Sequence, residues 1–161
     1  MEILRRIEKE LLNNQFRIIS KDLDRPWGGF FVLDQIQSKK FINFYFNKST
    51  FELIDFSLKI SPKILIIKSN MRLSWQYHNR RSEIWSVIEG NILISKSVND
   101  NEGSLIQLKK GEQIEIANKI RHRIIGTDDY ALVAEIWIHT DKSNPSDEND
   151  IIRLQDDFNR N

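Results

Sequence analysis

The first segment of the chain repeats apolar positions with the period of a helix. They recur at spacings of three and four residues, with charged residues between them: Ile3, Leu4, Ile7 and Leu11. Such spacing places the apolar side chains on one side of a helix. Asn13 and Asn14 follow, and Asn tolerates the left-handed turn that ends many helices. The pattern predicts a short amphipathic helix at the N-terminus.

A turn and a second short segment come next. Residues 24–29 (DRPWGG) have the composition of a turn and lead into the short apolar run 30–33 (FFVL). Residues 35–46 are then rich in isoleucine and aromatic side chains. Their spacing favours a second short helix, although the aromatic residues suit a strand equally well.

From about residue 52 the pattern changes to short runs of β-branched residues separated by turn residues. These runs span residues 63–68, 84–88, 91–98, 105–108, 113–116, 122–125 and 131–138. Regular short strands predict an all-β sandwich or barrel. Residues 89–91 (EGN) favour a tight hairpin and 99–103 (NDNEG) a longer hairpin loop. We interpret the polar stretch 140–150 as an exposed loop, after which Ile151, Ile152 and Leu154 are expected to pack back on the barrel.

Composition excludes several classes of protein. The 161 residues suit one domain. The chain has 24 Lys and Arg against 23 Asp and Glu, so neither a nucleic-acid-binding arm nor a polybasic membrane patch is expected. No apolar run approaches the ~18 residues that span a bilayer. Because there is no Cys, disulfides, thiolate metal sites and Cys nucleophiles are excluded, which fits a cytoplasmic protein.

Candidate chemistry concentrates around two of the three histidines. Gln76 and His78 are two residues apart, so in a strand they project from the same face, as would Arg80. Glu83 begins the next predicted strand, and His122 begins a later one. A lone His is more often structural than a ligand, but this grouping of imidazole, carboxylate and amide side chains is able to bind a metal.

The spacing around these residues resembles the motifs of the cupin family. Gln76 and His78 occupy the H-x-H pair of the first motif, four residues precede Glu83, and six separate it from Gly90. Asn70 stands where that motif begins with Gly. The second motif is matched at Gly111 and His122, whereas Ala117, Lys119 and Gly126 occupy its Pro, second Gly and Asn positions.

One branch of the cupins is matched more closely. Residues 73–85 (LSWQYHNRRSEIW) resemble the L-S-x-Q-x-H-x-x-R-x-E-x-W signature of the type II mannose-6-phosphate isomerase cupin. Residues 25–28 (RPWG) and 148–160 (ENDIIRLQDDFNR) are similar to segments at the two ends of that domain. The resemblance covers roughly residues 24–160.

The resemblance implies a cupin barrel, a double-stranded β-helix of jelly-roll type, with a short α-helical N-terminal extension. We expect residues 1–50 to form the extension and the segment leading into the barrel, and residues 51–161 to form the barrel and its tail. It also implies one divalent metal ion held by Gln76, His78, Glu83 and His122. This mixed N/O ligand set suits Zn, Mn, Co, Fe or Ni and leaves coordination positions open for substrate.

Basic residues near the implied ligands suit a phosphorylated sugar, because Arg binds phosphate in bidentate fashion. Arg80 is two residues from His78, so in a strand it would project from the same face, and it is the first choice for facing the cavity. Arg81 matches the signature Arg of the branch. Arg121 and Arg123 flank His122 and should point away from it into surface ion pairs. Weaker candidates are Lys63 and Lys68.

The remaining candidates are a carboxylate, the tryptophans and the third histidine. Glu135 lies in an apolar run, where it either supports the site or transfers a proton, or pairs with a Lys on the strand surface. Trp75 and Trp137 are expected in the core, and Trp85 either there or lining the cavity. His139 is expected to be exposed to solvent.

The resemblance implies an aldose–ketose isomerase acting on mannose 6-phosphate through an enediol, with Arg80, Arg81 and Glu135 as candidate catalytic residues. The alternative is a non-catalytic, metal-dependent cupin that binds a small molecule or sugar phosphate. Dioxygenase or epimerase chemistry is a third possibility, in which Gln76 disfavours the iron dioxygenases. No Gly-rich nucleotide motif is present, so guanylyltransferase activity is not expected. Further expectations are a small-molecule partner, no nucleic acid or membrane partner, and a homodimer, as is common among cupins.

Overall fold

The structure is a computed structural model that describes residues 2–160. Its helices are α1 (Glu2–Asn13), α2 (Ser38–Tyr45) and α3 (Lys48–Leu53), with a single 3-10 turn (Gln35–Gln37) before α2. Its strands are β1 (Ile18–Arg25), β2 (Gly28–Leu33), β3 (Ile60–Ile67), β4 (Trp75–Tyr77), β5 (Arg81–Glu89), β6 (Asn91–Ser97), β7 (Leu105–Lys109), β8 (Gln113–Ile116), β9 (Arg121–Gly126), β10 (Ala131–His139) and β11 (Ile152–Gln155).

The strands form two antiparallel sheets. The larger has the order β1-β2-β3-β10-β5-β8 and the smaller the order β11-β4-β9-β6-β7. Consecutive strands β4 and β5 lie in different sheets, as do β8 and β9. The chain therefore crosses repeatedly between the two layers, and residues close together in sequence face each other across the interior.

The two predicted helices and the seven predicted strands are confirmed, and the structure adds further elements. The amphipathic N-terminal helix is α1, and the ambiguous stretch 35–46 forms a helix, α2. Strand β1 was not predicted because its sequence (IISKDLDR) has no clear alternation, and the structure leaves most of it accessible at the edge of the sheet. Helix α3 and the three-residue strand β4 were also not predicted, since both are too short to establish a period.

Two apolar cores lie on opposite sides of the large sheet. The first joins α1 and α2 to one face of β3 and β10, and includes Leu11, Phe41, Ile64 and Ile136. The second fills the space between the two sheets and includes Leu65, Val133 and Ile124. Alternate residues of the same strands thus serve the two cores, as the period of a strand requires.

The turn that leads the chain into β2 depends on one glycine. Gly28 has φ +145°, and a Cβ at this position would overlap the carbonyl oxygen of Ile66. Only glycine allows this close approach of β2 to β3. The turn places Trp27 in the inner core and Arg25 at the cavity described below.

The tail returns to the barrel as predicted, but with a different side inward. Strand β11 pairs with β4, and Ile151 and Arg153 line the cavity. Ile152 and Leu154, which were expected to be packed, are 36% and 38% exposed. The alternation of the strand turns them to solvent. Within residues 2–160, no helix is long and apolar enough to cross a membrane.

Candidate metal site

Three residues predicted as ligands meet between the sheets. His78 follows β4 and His122 lies on β9, both associated with the smaller sheet, whereas Glu83 lies on β5 of the larger sheet. All three side chains are buried. Gln76 lies directly opposite His122 in the pairing of β4 with β9. The site therefore spans both layers of the barrel.

The donor atoms of the three residues lie close to the spacing expected of metal ligands. Glu83 Oε1 lies 3.2 Å from His78 Nε2, and Glu83 Oε2 lies 3.6 Å from His122 Nε2. All three donor atoms lie within 4.8 Å of one another. Ligands held about 2.1 Å from one metal are about 3.0–3.4 Å apart in octahedral or tetrahedral geometry. The three side chains fit a divalent ion, and their role as ligands stays a prediction.

Backbone carbonyls orient both imidazoles. His78 Nδ1 donates to the carbonyl oxygen of Asp150 at 2.6 Å, and His122 Nδ1 donates to that of Ile120 at 2.8 Å. Each Nε2 therefore carries a lone pair directed into the site, the arrangement typical of metal-ligating histidines. Among the described residues, no hydrogen-bond partner reaches His122 Nε2. Burial lowers the pKa of His122 to about 4, which keeps this ring neutral and able to ligate at neutral pH.

Glu83 is held as a carboxylate by its neighbours. Burial alone would raise its pKa, but the interaction with His78 and the positive charge of Arg81 outweigh burial and lower the pKa of Glu83 well below its ordinary value. Arg81 Nε donates to Glu83 Oε1 at 2.8 Å, and Trp85 Nε1 donates to Oε2 at 3.1 Å. An ionised, anchored carboxylate is the form that a metal requires.

Gln76 stands beside this cluster with its nitrogen toward it. Its Nε2 lies 3.4 Å from His78 Nε2, while its Oε1 accepts a hydrogen bond from Ser74 Oγ. A half-turn of the amide would direct the oxygen into the site. Gln76 thus fits as the fourth ligand only after that rotation.

Arg81 contacts two of the three candidate ligands. Besides its bond to Glu83, its Nη2 lies 3.1 Å from His78 Nε2, and its Nη1 donates to Ser146 Oγ at 2.9 Å. A metal bound to His78 would replace the first of these bonds. The bond from Arg81 Nε to Glu83 does not involve His78.

The site opens into a cavity whose walls are both apolar and basic. The space amounts to about 660 Å³, including the part open to solvent, within the range of small-molecule sites. Six basic residues line it: Arg25, Lys63, Arg81, Arg123, Arg153 and Arg160. Three acidic residues do so: Glu83, Glu135 and Glu148. The excess of basic side chains favours an anionic ligand.

Several of the basic side chains are fixed before any ligand arrives. Lys63 Nζ lies 2.5 Å from Glu148 Oε1 and 3.7 Å from the centre of the Trp137 ring. The guanidinium of Arg81 lies 3.5 Å from the centre of the same ring. Arg160 pairs with Asp156 at 2.6 Å. These contacts orient the positive charges and reduce the entropy lost when a ligand binds.

Glu135 is buried in the cavity wall and is not a surface residue. It lies opposite Lys63 in the pairing of β10 with β3, and its Oε1 accepts a hydrogen bond from Trp85 Nε1 at 3.1 Å. The same indole N–H contacts Glu83. Burial and the negative charge of Glu83 raise the pKa of Glu135 well above the ordinary value of a carboxyl group. Trp85 also lines the cavity.

The expectation that Arg80 faces the cavity is wrong. Arg80 is not among the lining residues, and its guanidinium bonds Asn144 and Asp147 instead. The parity argument assumed one continuous strand, but β4 ends at Tyr77 and β5 begins at Arg81. Because a bend separates them, Arg81 is the arginine that points inward.

Three further expectations about exposure are corrected. The stretch 140–150, expected to be an exposed loop, buries Ser146 and Asp150. Arg121 pairs with the exposed Asp100 as expected, but Arg123 is completely buried, where it bonds Glu102, Gln155 and the carbonyl oxygen of Leu73. The loop 99–103 and the tail cover it. His139, expected to be exposed, is 2% exposed and bonds Ser61 Oγ at 2.8 Å.

Sequence reasoning missed three of the lining arginines as site residues. Arg25 and Arg160 lie in the two terminal segments of the family resemblance, and Arg153 lies on β11. A signal existed for Arg153, since Ile151 and Arg153 share a face of the closing strand. Nothing local pointed Arg25 or Arg160 toward the same cavity, because they are far apart in sequence and meet only through the fold.

Comparisons with known proteins agree with this fold. The family model described as "Mannose-6-phosphate isomerase C-terminal" matches residues 36–156. A search of curated proteins finds no match. Among solved structures, oxalate decarboxylase from Bacillus subtilis superimposes with TM-score 0.59 and 12% identity, over 84% of this chain and 30% of that chain.

Two further solved structures are similar to part of the chain. The protein BH2720 from Bacillus halodurans gives TM-score 0.48 and 15% identity, over 54% of this chain and 67% of that one. A "Cupin 2 conserved barrel domain protein" from Salinispora arenicola gives TM-score 0.45 and 15% identity, over 52% and 65%. This chain thus spans from 30% to 67% of the lengths of these three proteins. At such identities the likeness concerns the fold, which is the cupin barrel.

Proposed function

This chain belongs to the mannose-6-phosphate isomerase C-terminal family, and from that premise we propose that it is a metal-dependent sugar-phosphate isomerase. The reaction would interconvert an aldose phosphate and a ketose phosphate, with mannose 6-phosphate as the substrate that the family name suggests. The observation that carries the proposal is the buried cluster of His78, Glu83 and His122 at a cavity with excess basic side chains.

The basic wall accounts for recognition of the phosphate. A phosphate group carries up to two negative charges, and arginines bind it through paired N–H donors. Arg25, Arg153 and Arg160 line the cavity without being candidate metal ligands. We assign the phosphate to this group of side chains, which would leave the reacting carbons of the sugar near the cluster.

Isomerisation moves one proton between adjacent carbons. In the aldose the proton leaves C2 while O1 is protonated, which gives an enediol; O2 then loses its proton as C1 gains one, which gives the ketose. No oxidant or reductant is consumed. One group that can accept and return a proton is sufficient for the carbon-bound proton, while a second proton passes from O2 to O1.

Glu135 is suited to carry that proton at its carboxyl oxygens. It lies in the cavity wall, and its raised pKa brings protonated and ionised forms within reach near neutral pH. Trp85 holds Oε1 by a hydrogen bond. Arg81, buried beside Glu83, supplies a fixed positive charge that favours negative charge developing on the sugar oxygens.

His78, Glu83, His122 and, after rotation of its amide, Gln76 would hold the metal. A bound divalent ion would supply positive charge that orients the sugar oxygens and stabilises an enediolate. Surrounding walls such as Trp85, Trp137 and Leu65 exclude water and strengthen these electrostatic interactions.

The test is turnover of mannose 6-phosphate by metal-stripped protein to which Zn²⁺, Mn²⁺, Co²⁺, Fe²⁺ or Ni²⁺ is returned. We expect fructose 6-phosphate to form with at least one metal and not in the presence of a chelator. The matched control is Glu83→Gln, which keeps the size of the side chain but removes the ligand charge, and should be inactive with every metal. Absence of turnover in metal-loaded protein would overturn the assignment.

A non-catalytic sugar-phosphate-binding module is the second candidate. The observation favouring it is the bond from Arg81 to His78 Nε2, which satisfies one candidate ligand without a metal. Thermal shift with mannose 6-phosphate, with and without metal, separates the two functions. Stabilisation by the sugar phosphate without turnover would favour the binding module.

A further inference from the structure

The loop between β10 and β11 contacts the candidate metal site at several points. We refer to residues 140–151 as the tail loop. Glu148 pairs with Lys63, Asp147 bonds Arg80, and Ser146 accepts a hydrogen bond from Arg81. The loop therefore forms part of the cavity wall, although it follows His78 by about seventy residues in sequence.

Asp150 makes the most direct of these contacts. Its carbonyl oxygen accepts the hydrogen bond from His78 Nδ1 at 2.6 Å. Its carboxylate accepts from the backbone N–H groups of Asn79 and Arg80, both at 3.0 Å, on separate oxygens. Ser146 Oγ donates to the same carboxylate at 2.7 Å, and the side chain of Asp150 is buried. One residue thus holds both the ring of His78 and the backbone that follows it.

This arrangement has a consequence for the bend between β4 and β5. The bend joins the strand next to His78 to the strand that carries Glu83, and its free N–H groups would otherwise need other partners. The carboxylate of Asp150 satisfies them and fixes the path of the chain at His78. The carbonyl oxygen of Asp150 fixes the tautomer of the ring and directs Nε2 into the site.

We propose that Asp150 is a positioning residue for the metal site, so that docking of the tail loop and binding of the metal stabilise each other. This rests on the metal site of the proposed function but not on its reaction. Because coupling between two binding events is reciprocal, loss of the Asp150 contacts should weaken metal binding even though Asp150 is not a ligand.

The experiment is a Co²⁺ titration of the full chain, followed by the visible absorbance of the bound ion. Wild type is compared with Asp150→Ala, Asp150→Asn and the control Asp157→Asn. Asp157 is an acid of the same C-terminal region that pairs with Arg72 outside the cavity. Melting temperature is recorded for each protein without metal, so that affinities are compared only among folded proteins.

We expect Asp150→Ala to weaken Co²⁺ binding about 10- to 100-fold, the range found for partners of ligating histidines, because without the carboxylate contacts residue 150 no longer holds its carbonyl oxygen against His78. Asp150→Asn keeps one acceptor oxygen but turns an N–H₂ group toward a backbone N–H, so a smaller loss of about 3- to 10-fold is expected. Asp157→Asn should bind Co²⁺ as wild type does. The graded order tests positioning even if the alanine variant does not fold.

The outcomes separate the proposals. If wild type binds Co²⁺ and Asp150→Asn binds it equally well, the role of Asp150 is overturned while the metal site stands. If Asp157→Asn loses as much affinity as Asp150→Asn, the effect is one of general stability and the proposal is overturned. If wild type binds no Co²⁺, the metal site fails and both proposals fall. If wild type binds Co²⁺ but shows no isomerase turnover, only the proposed reaction fails.

Discussion

The two faces of the large sheet are built from the same strands but have opposite characters. On strands β3 and β10, the residues facing the helices are all apolar: Ile64, Ile66, Leu132, Ala134 and Ile136. On the other face the same strands carry Lys63 and Glu135, paired directly across the sheet, beside the apolar Leu65 and Val133. Neighbouring residues on the same strand thus face either a uniformly apolar core or a charged cavity wall.

This difference explains how the barrel accommodates a site that contains buried charges. Buried charged groups cost free energy unless they are paired and hydrogen-bonded. Around the cavity they are paired, as Arg81 is with Glu83 and Lys63 with Glu148. Apolar side chains are buried on both faces of the sheet, but only the face covered by the N-terminal helices is apolar throughout on these strands. We therefore expect substitutions on the helix-covered face to change stability, and substitutions on the cavity face to change binding and turnover.

The largest effect is expected from Glu135→Gln on the cavity face. Gln keeps the size of the side chain and an oxygen that accepts the Trp85 hydrogen bond, but it cannot carry a proton. We expect kcat for mannose 6-phosphate to fall about 10²- to 10⁴-fold, the usual contribution of a general acid or base. The measurement is steady-state turnover with saturating metal.

Two controls accompany this substitution. Co²⁺ affinity should stay within about threefold of wild type, because Glu135 is not among the candidate ligands. The melting temperature should not fall, since the raised pKa of Glu135 means that the neutral amide resembles its protonated form. Unchanged kcat in this variant would show that another group carries the proton.

The next effect is expected from Ile136→Ala, one residue along the same strand. Ile136 is fully buried beneath the helices, so removing its side chain leaves a cavity in the core. We expect the free energy of unfolding to fall by about 2–5 kcal/mol, measured by urea denaturation. In the folded variant, Co²⁺ affinity and kcat should remain close to wild type. A parallel loss of metal affinity would show that the two faces are not independent.

The alternation of side chains along a strand also explains how much of the site could be predicted from the sequence. Strands fix which residues share a face, so the spacing of Gln76, His78 and Glu83 and the match at His122 were enough to bring together the cluster that the structure shows. Positions that require a left-handed backbone conformation could also be recognised from the sequence. Asn70 and Lys119 stand where the family has glycines, and both adopt positive φ, 55° and 66°.

What the sequence did not reveal lies where the chain leaves a strand. Arg80 was assigned by parity to the cavity, but the bend at residues 79–80 ends that parity and turns it to the tail loop. The contact between Asp150 and His78 joins residues 72 positions apart, so no local pattern records it. Arg123 was expected at the surface because strand alternation does not foresee that a later loop covers it.

The smallest effect is expected at His139. By strand alternation its side chain lies on the cavity side of β10, yet it is not among the residues lining the cavity. Burial, followed by the positive charges of Lys59 and Arg81, lowers its pKa to about 4. An ordinary histidine in the unfolded chain has a pKa of about 6.5. The folded state therefore favours the neutral ring, and the resulting stability is complete above about pH 6.5 and is lost as pH falls toward 4.

Replacing His139 should remove its share of this pH dependence. As the pH falls from 7 to 5.5, we expect the free energy of unfolding of His139→Gln to decrease by about 1 kcal/mol less than that of wild type. Linkage gives this difference for a pKa of about 4 in the folded state and about 6.5 in the unfolded state. The measurement is urea denaturation in the presence of a chelator, so that metal release does not contribute. His122, whose pKa is also lowered to about 4, is present in both proteins and cancels in the difference. Identical pH dependence in the two proteins would mean that His139 titrates normally, and that a buried position on this side of the strand does not by itself perturb the pKa of a side chain.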